Sequence, residues 1–423
     1  MRESAALFVF VAAYALFVAL PRRRSLVACI GALALVATGA SSWRSALGEH
    51  INWNVIALFF GTLILAELFM QSRMPAVMAE WLVRRTRTLS AAMLMICALS
   101  SFLSMFLENV AVVLLVAPIA LSLCQRLGIS PARLLILIAV CSNLQGTATL
   151  IGDPPSMILA GHMRLSFNDF FVYRGRPGIF FAVQCGAAAS MVIAAWQLRR
   201  HRRVIELPAL ESPRSWVPTA LLIALIAGLS AASYFDREFK WMAGAWTLLL
   251  AGVGLVWYRR VPHWGTVRQL VRLLDWDTTF FLMGVFVLVG ALHEAGWIER
   301  LSNALGGWLG GNPALAFGAL VGIAVLVSGF VDNVPFLLAM IPVATNLSQK
   351  LGTSRELLLF GLLIGACVGG NLTPIGASAN IVAMGVLRKN GETIGFADFM
   401  RVGVPFTLAA VAAAAGFVWW IWS

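Results

Sequence analysis

The chain has 423 residues, 60% of them apolar and 12% charged, against roughly 45–50% apolar and about 25% charged in soluble proteins. So apolar a chain cannot cover a water-facing surface with polar groups, which excludes a soluble enzyme, a nucleic-acid binder and a disordered scaffold. Its net charge of +12 comes from Arg and Lys bunched between apolar runs, a pattern that the positive-inside rule explains without any nucleic acid.

A spanning helix needs about 20 largely apolar residues. The first run (4–20) ends at Arg22-Arg23-Arg24 and reads as a retained span, not a cleaved leader. Spans at 25–41 and 51–70 follow, then a basic loop, 71–89, with Arg73, Arg84, Arg85 and Arg87. Segment 90–125 is too long for one crossing and has a polar centre, so a re-entrant hairpin is expected. A span at 132–160, interrupted by small and polar residues, and one at 177–198 complete the half. The basic run Arg199-Arg200-His201-Arg202-Arg203 leads into a linker, 204–214, with Pro208 and Pro213. Beyond it come spans 215–232, 241–258 and 276–292, a second hairpin at 313–350, an interrupted span at 355–387, and 403–421. The expected organisation is thus 1–203 and 215–423 joined by 204–214. Counting arginines puts the Arg22–Arg24 turn, the linker, the 71–89 loop and Arg259, Arg260, Arg268 and Arg272 in the cytoplasm, with both termini outside.

The two halves repeat. Trp53 matches Trp276 at an offset of 223 (276 − 53), and Glu108-Asn109-Val110 matches Asp332-Asn333-Val334 at 224 (332 − 108). Pro118 and Pro342, Leu127-Gly128 and Leu351-Gly352, and Ile151-Gly152 and Ile375-Gly376 keep the offset of 224. With the arginine count, the halves are expected to be antiparallel. Inverted repeats with matching broken segments mark secondary transporters, whose site lies where the breaks meet.

Glu108-Asn109 and Asp332-Asn333 fall where each hairpin should turn. A carboxylate in the membrane needs a partner, a proton or an ion, and the Asn beside it adds both donors and acceptors. The bland alternative is that each acid only caps its own helix. After each hairpin, Asn143, Gly146, Thr147, Thr149, Asp153 and Ser156 stand opposite Asn371, Thr373, Ser378 and Asn380. Gly, Pro and hydroxyl residues at mid-span unwind a helix and free carbonyls, which is tolerable only beside a cavity or an ion. These residues form the candidate solute site, with Glu108, Asp153 and Asp332 as proton-coupling candidates. Sodium could use the same oxygens. Glu67, His162 and His293 rank lower, as interface residues. The six cysteines stand singly, with no CxxC or Cys/His cluster, so no zinc site, disulfide framework or cofactor is expected. The 15 Trp suit interfacial anchoring.

The hairpin motifs, the Gly146-Thr-Ala-Thr-Leu-Ile-Gly-Asp-Pro-Pro-Ser156 stretch, and Val331-Asp-Asn-Val-Pro-Phe336 with Gly369-Gly-Asn-Leu-Thr-Pro-Ile-Gly-Ala-Ser-Ala-Asn380 resemble the ion transporter superfamily. They are most similar to its branch of arsenite permeases, NhaD-type sodium/proton antiporters and the melanosomal P-protein. The dicarboxylate branch reads Ser-Asn-Thr at the hairpin tips. Here two acids replace hydroxyls, which turns the expectation from sodium-coupled carboxylate uptake to proton or cation coupling. The resemblance implies an all-α polytopic membrane protein of two inverted repeats, with about ten spanning helices, two re-entrant hairpins and two unwound helices, working as an elevator. It implies a secondary transporter in a bacterial inner membrane that exchanges arsenite or antimonite for protons. A sodium/proton antiporter is the alternative, and a carboxylate or other anion transporter the third reading. A homodimer and a soluble partner ATPase stay open; no P-loop lies in this chain.

Overall fold

The computed structural model describes residues 2–20, 23–199, 212–261, 264–308 and 311–423. Most of the basic linker, with Arg22, lies outside the described residues. In the first half the helices are α1 (Arg2–Ala19), α2 (Arg24–Ala37), α3 (Trp43–Ser45), α4 (Trp53–Gln71), α5 (Met74–Arg84), α6 (Leu89–Ser104), α7 (Asn109–Arg126), α8 (Ala132–Gly146), α9 (Pro154–Met163) and α10 (Ile179–Leu198). A short hairpin, β1 (Val172–Tyr173) and β2 (Arg176–Pro177), precedes α10. The second half comprises α11 (Val217–Phe235), α12 (Met242–Arg260), α13 (Val267–Leu273), α14 (Trp276–Glu294), α15 (Trp297–Trp308), α16 (Pro313–Ser328), α17 (Asn333–Leu351), α18 (Arg355–Gly369), α19 (Ser378–Lys389) and α20 (Phe396–Trp422).

The starts of α4, α5, α6, α7 and α9 recur at α14, α15, α16, α17 and α19 with the offset of 223 or 224 read from the sequence. Local bonds recur too. Thr88 caps α6 and Asn312 caps α16. The Trp53 indole donates to Leu47 O at 2.7 Å and the Trp276 indole to Val271 O at 2.8 Å. The halves interlock: α2 packs on α14 and α12 on α4, while α9 meets α17 and α19 meets α7.

Among the described residues, seven helices are long and apolar enough to cross a membrane: α4, α7, α10, α11, α14, α18 and α20. Five more, α1, α2, α6, α8 and α16, are apolar but shorter. Helices α8 and α18 form the interior. Every residue from Leu134 to Gly146 and from Glu356 to Gly369 is buried, as expected of helices that are apolar all round. The 71–89 stretch, expected as a loop, instead folds as α5. Its start has Arg73 in the left-handed region and Pro75 in the first turn, where proline loses no hydrogen bond. Arginines crowding its end hid an amphipathic helix behind a charge count.

Outside the bundle, Asp236 ends α11 and accepts the backbone N–H groups of Lys240, Trp241 and Met242 at 2.9, 3.0 and 2.9 Å. Partial burial pulls its pKa up, but these three bonds and the Lys240 charge outweigh it and hold the carboxyl below its ordinary value. A depressed carboxyl contributes stability above its unfolded pKa, near 4, and loses it as pH falls through the folded value. Asp236→Asn should therefore lower the melting temperature at pH 7 and converge with wild type near pH 3. A constant difference across that range would rule the charge out as the cause.

Candidate functional site

The polar breaks of both halves meet at one place. Helix α8 ends at Gly146 and α9 begins at Pro154; α18 ends at Gly369 and, after one short turn, α19 begins at Ser378. Each break is tied to its own hairpin by the same two bonds. Thr149 Oγ1 donates to Met105 O and Thr373 Oγ1 to Gly329 O. Ser104 Oγ donates to Ser142 O at 2.8 Å, and Ser328 Oγ donates to Ala366 O. Thr149 and Thr373, two of the threonines expected to coordinate a solute, thus give their hydroxyl protons to backbone carbonyls. Thr147 Oγ1 is buried without a nitrogen or oxygen partner among the described residues and neighbours the Cys367 thiol.

Behind the breaks lies a carboxamide cluster that joins the halves. Asn143 Nδ2 donates to Asn371 Oδ1 at 2.8 Å and to Asn380 Oδ1 at 2.9 Å. Asn371 in turn donates to Val140 O, and Asn380 to Gly370 O and Thr373 O. Two of the predicted ligands, Asn371 and Asn380, are therefore committed to fixing Asn143 and the unwound backbone. Gly146 is a clearance, because a Cβ there would lie 2.4 Å from Asn109 Oδ1.

In front of this cluster is a cavity of about 40 Å³. Glu108, Asn109 and Asp153 of the first half line it, with Asn143 at its back; Asp332, Asn333 and Ser378 come from the second. Asn109 Nδ2 donates to Asp153 Oδ2 at 3.0 Å, and the Ser104 hydroxyl, whose one proton is shared with Ser142 O, lies 2.6 Å from Asn109 Oδ1. The two tip acids behave differently. Asp332 Oδ1 caps α17 by accepting Val334 N at 3.0 Å. Glu108 makes no side-chain cap on α7. Capping therefore accounts for half of one acid and none of the other.

Sequence reasoning missed the cation in this site. Arg24 was counted as a cytoplasmic turn residue, yet it opens α2 and its side chain points inward. Arg24 Nη1 reaches Asp332 Oδ2 at 2.5 Å, Nε reaches Asp277 Oδ2 at 3.1 Å, and Nη2 donates to Thr278 Oγ1 at 2.8 Å. Asp277 and Thr278, two further residues not predicted, belong to the first turn of α14. Position within an Arg triplet was the only signal, and the positive-inside rule absorbed it. The tip is held a second time by Tyr14, whose hydroxyl donates to Pro335 O at 2.5 Å.

Both tips line the cavity together with Thr278 and Phe281 of α14. Glu108 also borders a second, smaller pocket with Phe59, Thr62, Leu63 and Ala66 of α4. Cys141 and Cys367 are buried in α8 and α18. His162 faces Thr345 at 3.1 Å and Glu67 accepts from Gln71 at 2.8 Å, both away from the cavity.

Comparison with known proteins agrees with this architecture. The citrate transporter family, CitMHS, matches residues 14–267 and 239–423. An uncharacterized transporter of Mycobacterium tuberculosis is 31% identical over 98% of this chain and 97% of its own. The human P protein is 26% identical over 95% of this chain and 58% of its own length. Among solved structures, the Alcanivorax borkumensis YdaH transporter superposes with a TM-score of 0.60 at 13% identity, covering 91% of this chain and 87% of that one. The Neisseria gonorrhoeae efflux pump MtrF gives 0.59 at 12%, covering 93% and 84%. Those two likenesses concern the fold. With the apolar helices and the paired broken helices on which these matches fall, the chain belongs to the CitMHS citrate transporter family of the ion transporter superfamily and is a multi-pass membrane transporter.

Proposed function

We propose that the protein is a secondary transporter that exchanges a small inorganic solute for protons, with arsenite or antimonite as the first candidate. The observation that carries this reading is the cavity: about 40 Å³, with three carboxylates and one guanidinium around it. That volume suits an ion or a molecule of a few heavy atoms. A tricarboxylate fills more space than this cavity offers as it stands. Arsenous acid is neutral and rich in hydroxyls, so it fits carboxamides and Ser378 without an electrostatic cost, while Glu108, Asp153 and Asp332 are the groups that would exchange protons.

Sodium is the second reading, favoured by the Asp153–Asn109 pair, whose oxygens are hard ligands. Transport in either case proceeds by the two hairpins and broken helices moving together, in an elevator manner, against a scaffold that includes α1, α2, α4, α12 and α14. The halves are inverted relative to each other, so the hairpins enter from opposite faces.

Proteoliposomes carrying a pH-sensitive dye decide between the solutes. Arsenite added to wild type should drive proton flux, and Glu108→Gln should reduce it on the order of tenfold or more, because the acid has no capping role to preserve. Flux driven by sodium alone would exchange the two readings. Flux driven by citrate alone, or a Glu108→Gln variant at wild-type rate, would reject the proposal.

A further inference from the structure

The Arg24 guanidinium bridges two bodies that the proposed function requires to move apart. On the scaffold side it is anchored by Asp277 at 3.1 Å and Thr278 at 2.8 Å, and its carbon lies 5.0 Å from the centre of the Phe281 ring. Those anchors are themselves fixed: Ser25 Oγ donates to Asp277 Oδ1, and Asp275 accepts both Thr278 N and Thr278 Oγ1, at 2.9 and 2.5 Å. On the moving side it holds Asp332 at 2.5 Å, and Nη1 approaches Ser378 Oγ at 3.4 Å. Hydrogen bonds thus engage each of its three nitrogens. Its side chain is 17% exposed and that of Asp332 is 25% exposed, so the pair is largely withdrawn from water but still reachable by a proton. Among the described residues the first half shows no counterpart. There Asn54, equivalent to Asp277, is spent on Phe239 O and Gly244 N.

We propose that Arg24 is a tethered counter-cation, which occupies Asp332 whenever no proton or transported cation does, and so latches the second hairpin tip to the scaffold until the carboxylate is taken over. This rests on the exchange reading above and deepens it. A carrier that can cross empty wastes the gradient. Arg24 prevents this, because an empty, ionised Asp332 is bound to the part of the protein that stays still. When a proton arrives from the aqueous side, Asp332 becomes neutral, the guanidinium keeps its own charge on Asp277, and the tip is released. A guanidinium suits this task because it stays charged at any physiological pH and its fork holds two partners at once. Other charged or titratable groups around Asp332 are Asp275 and Asp277 of α14, Glu108 at the opposing tip, Asp153 at the α8–α9 break, Cys367 of α18 and Tyr14 of α1. Besides Arg24, none of these is a cation.

Hydrogen–deuterium exchange of the 329–336 segment in detergent or nanodiscs tests the latch without any cargo. At pH 8, Arg24→Gln should raise exchange there on the order of tenfold, the size of a lost charge-assisted bond. Arg24→Lys keeps the charge without the fork and should lie between the two. If Arg24→Gln does not fold, Asp332→Asn must unlatch the tip from the other side and give the same rise. Unchanged protection at pH 8 in either variant would overturn the latch. If no solute drives proton flux in wild type, the exchange reading falls while the protection data still decide the latch.

Discussion

Asp332→Asn is expected to abolish proton-driven accumulation while leaving the protein folded. The amide oxygen can still accept Val334 N, so the start of α17 keeps its cap. What disappears is the negative partner of Arg24, at 2.5 Å, and with it a site that a proton can occupy. Removing one member of a largely desolvated ion pair costs about 3–5 kcal/mol where the other is stranded. Here the guanidinium keeps Asp277 and Thr278, so stability should fall by much less. Gradient-driven transport should drop on the order of a hundredfold, the scale of a lost charge partner at a working site. Binding of a neutral solute should survive, and binding of sodium should not. The measurements are solute-driven proton flux, equilibrium binding and the melting temperature of the purified variant. Wild-type flux across pH 6–8 would reduce Asp332 to a cap.

Gly376→Ala should be a severely damaging single-methyl change at the second break. A Cβ at that position would lie 2.6 Å from Gly370 O, 2.7 Å from Gly329 O and 2.9 Å from Ser328 O. All three are backbone atoms, so none can swing aside. The broken helix must retreat from its hairpin, and the Thr373 staple to Gly329 O is lost with it. Overpacking of this kind costs about 1–3 kcal/mol when side chains can yield, and more is expected where only backbone can. Transport should vanish even in protein that still folds. Gly385→Ala, on the open side of α19 with nothing within 4 Å of the new Cβ, is the control. Equal melting temperatures and fluxes for the two variants would contradict this packing account.

Much of this architecture was legible because it is written twice. The tips at Glu108 and Asp332 and the breaks after Gly146 and Gly369 stand out once the halves are laid over each other. What failed was everything that occurs in one copy or depends on which way a side chain turns. Arg24 has no partner in the repeat, and its neighbours Arg22 and Arg23 made it look like a topological charge. Thr149 and Thr373 do repeat, but spacing cannot show whether a hydroxyl faces a cavity or a carbonyl. Here both face carbonyls. Asn371 and Asn380 were chosen for the right reason, carboxamides at a break, and turned out to hold the floor of the site. Helix α5 was lost because arginine at its end weighed more than the apolar face before it.

The one-sidedness of Arg24 also bears on symmetry. Asp277 of α14 holds the guanidinium that reaches Asp332, whereas its equivalent in the first half, Asn54 of α4, is bonded to Phe239 O and Gly244 N. If the latch proposed above operates, only one of the two tips is governed by it, and a pair of halves alike in outline would then respond unequally to the same proton.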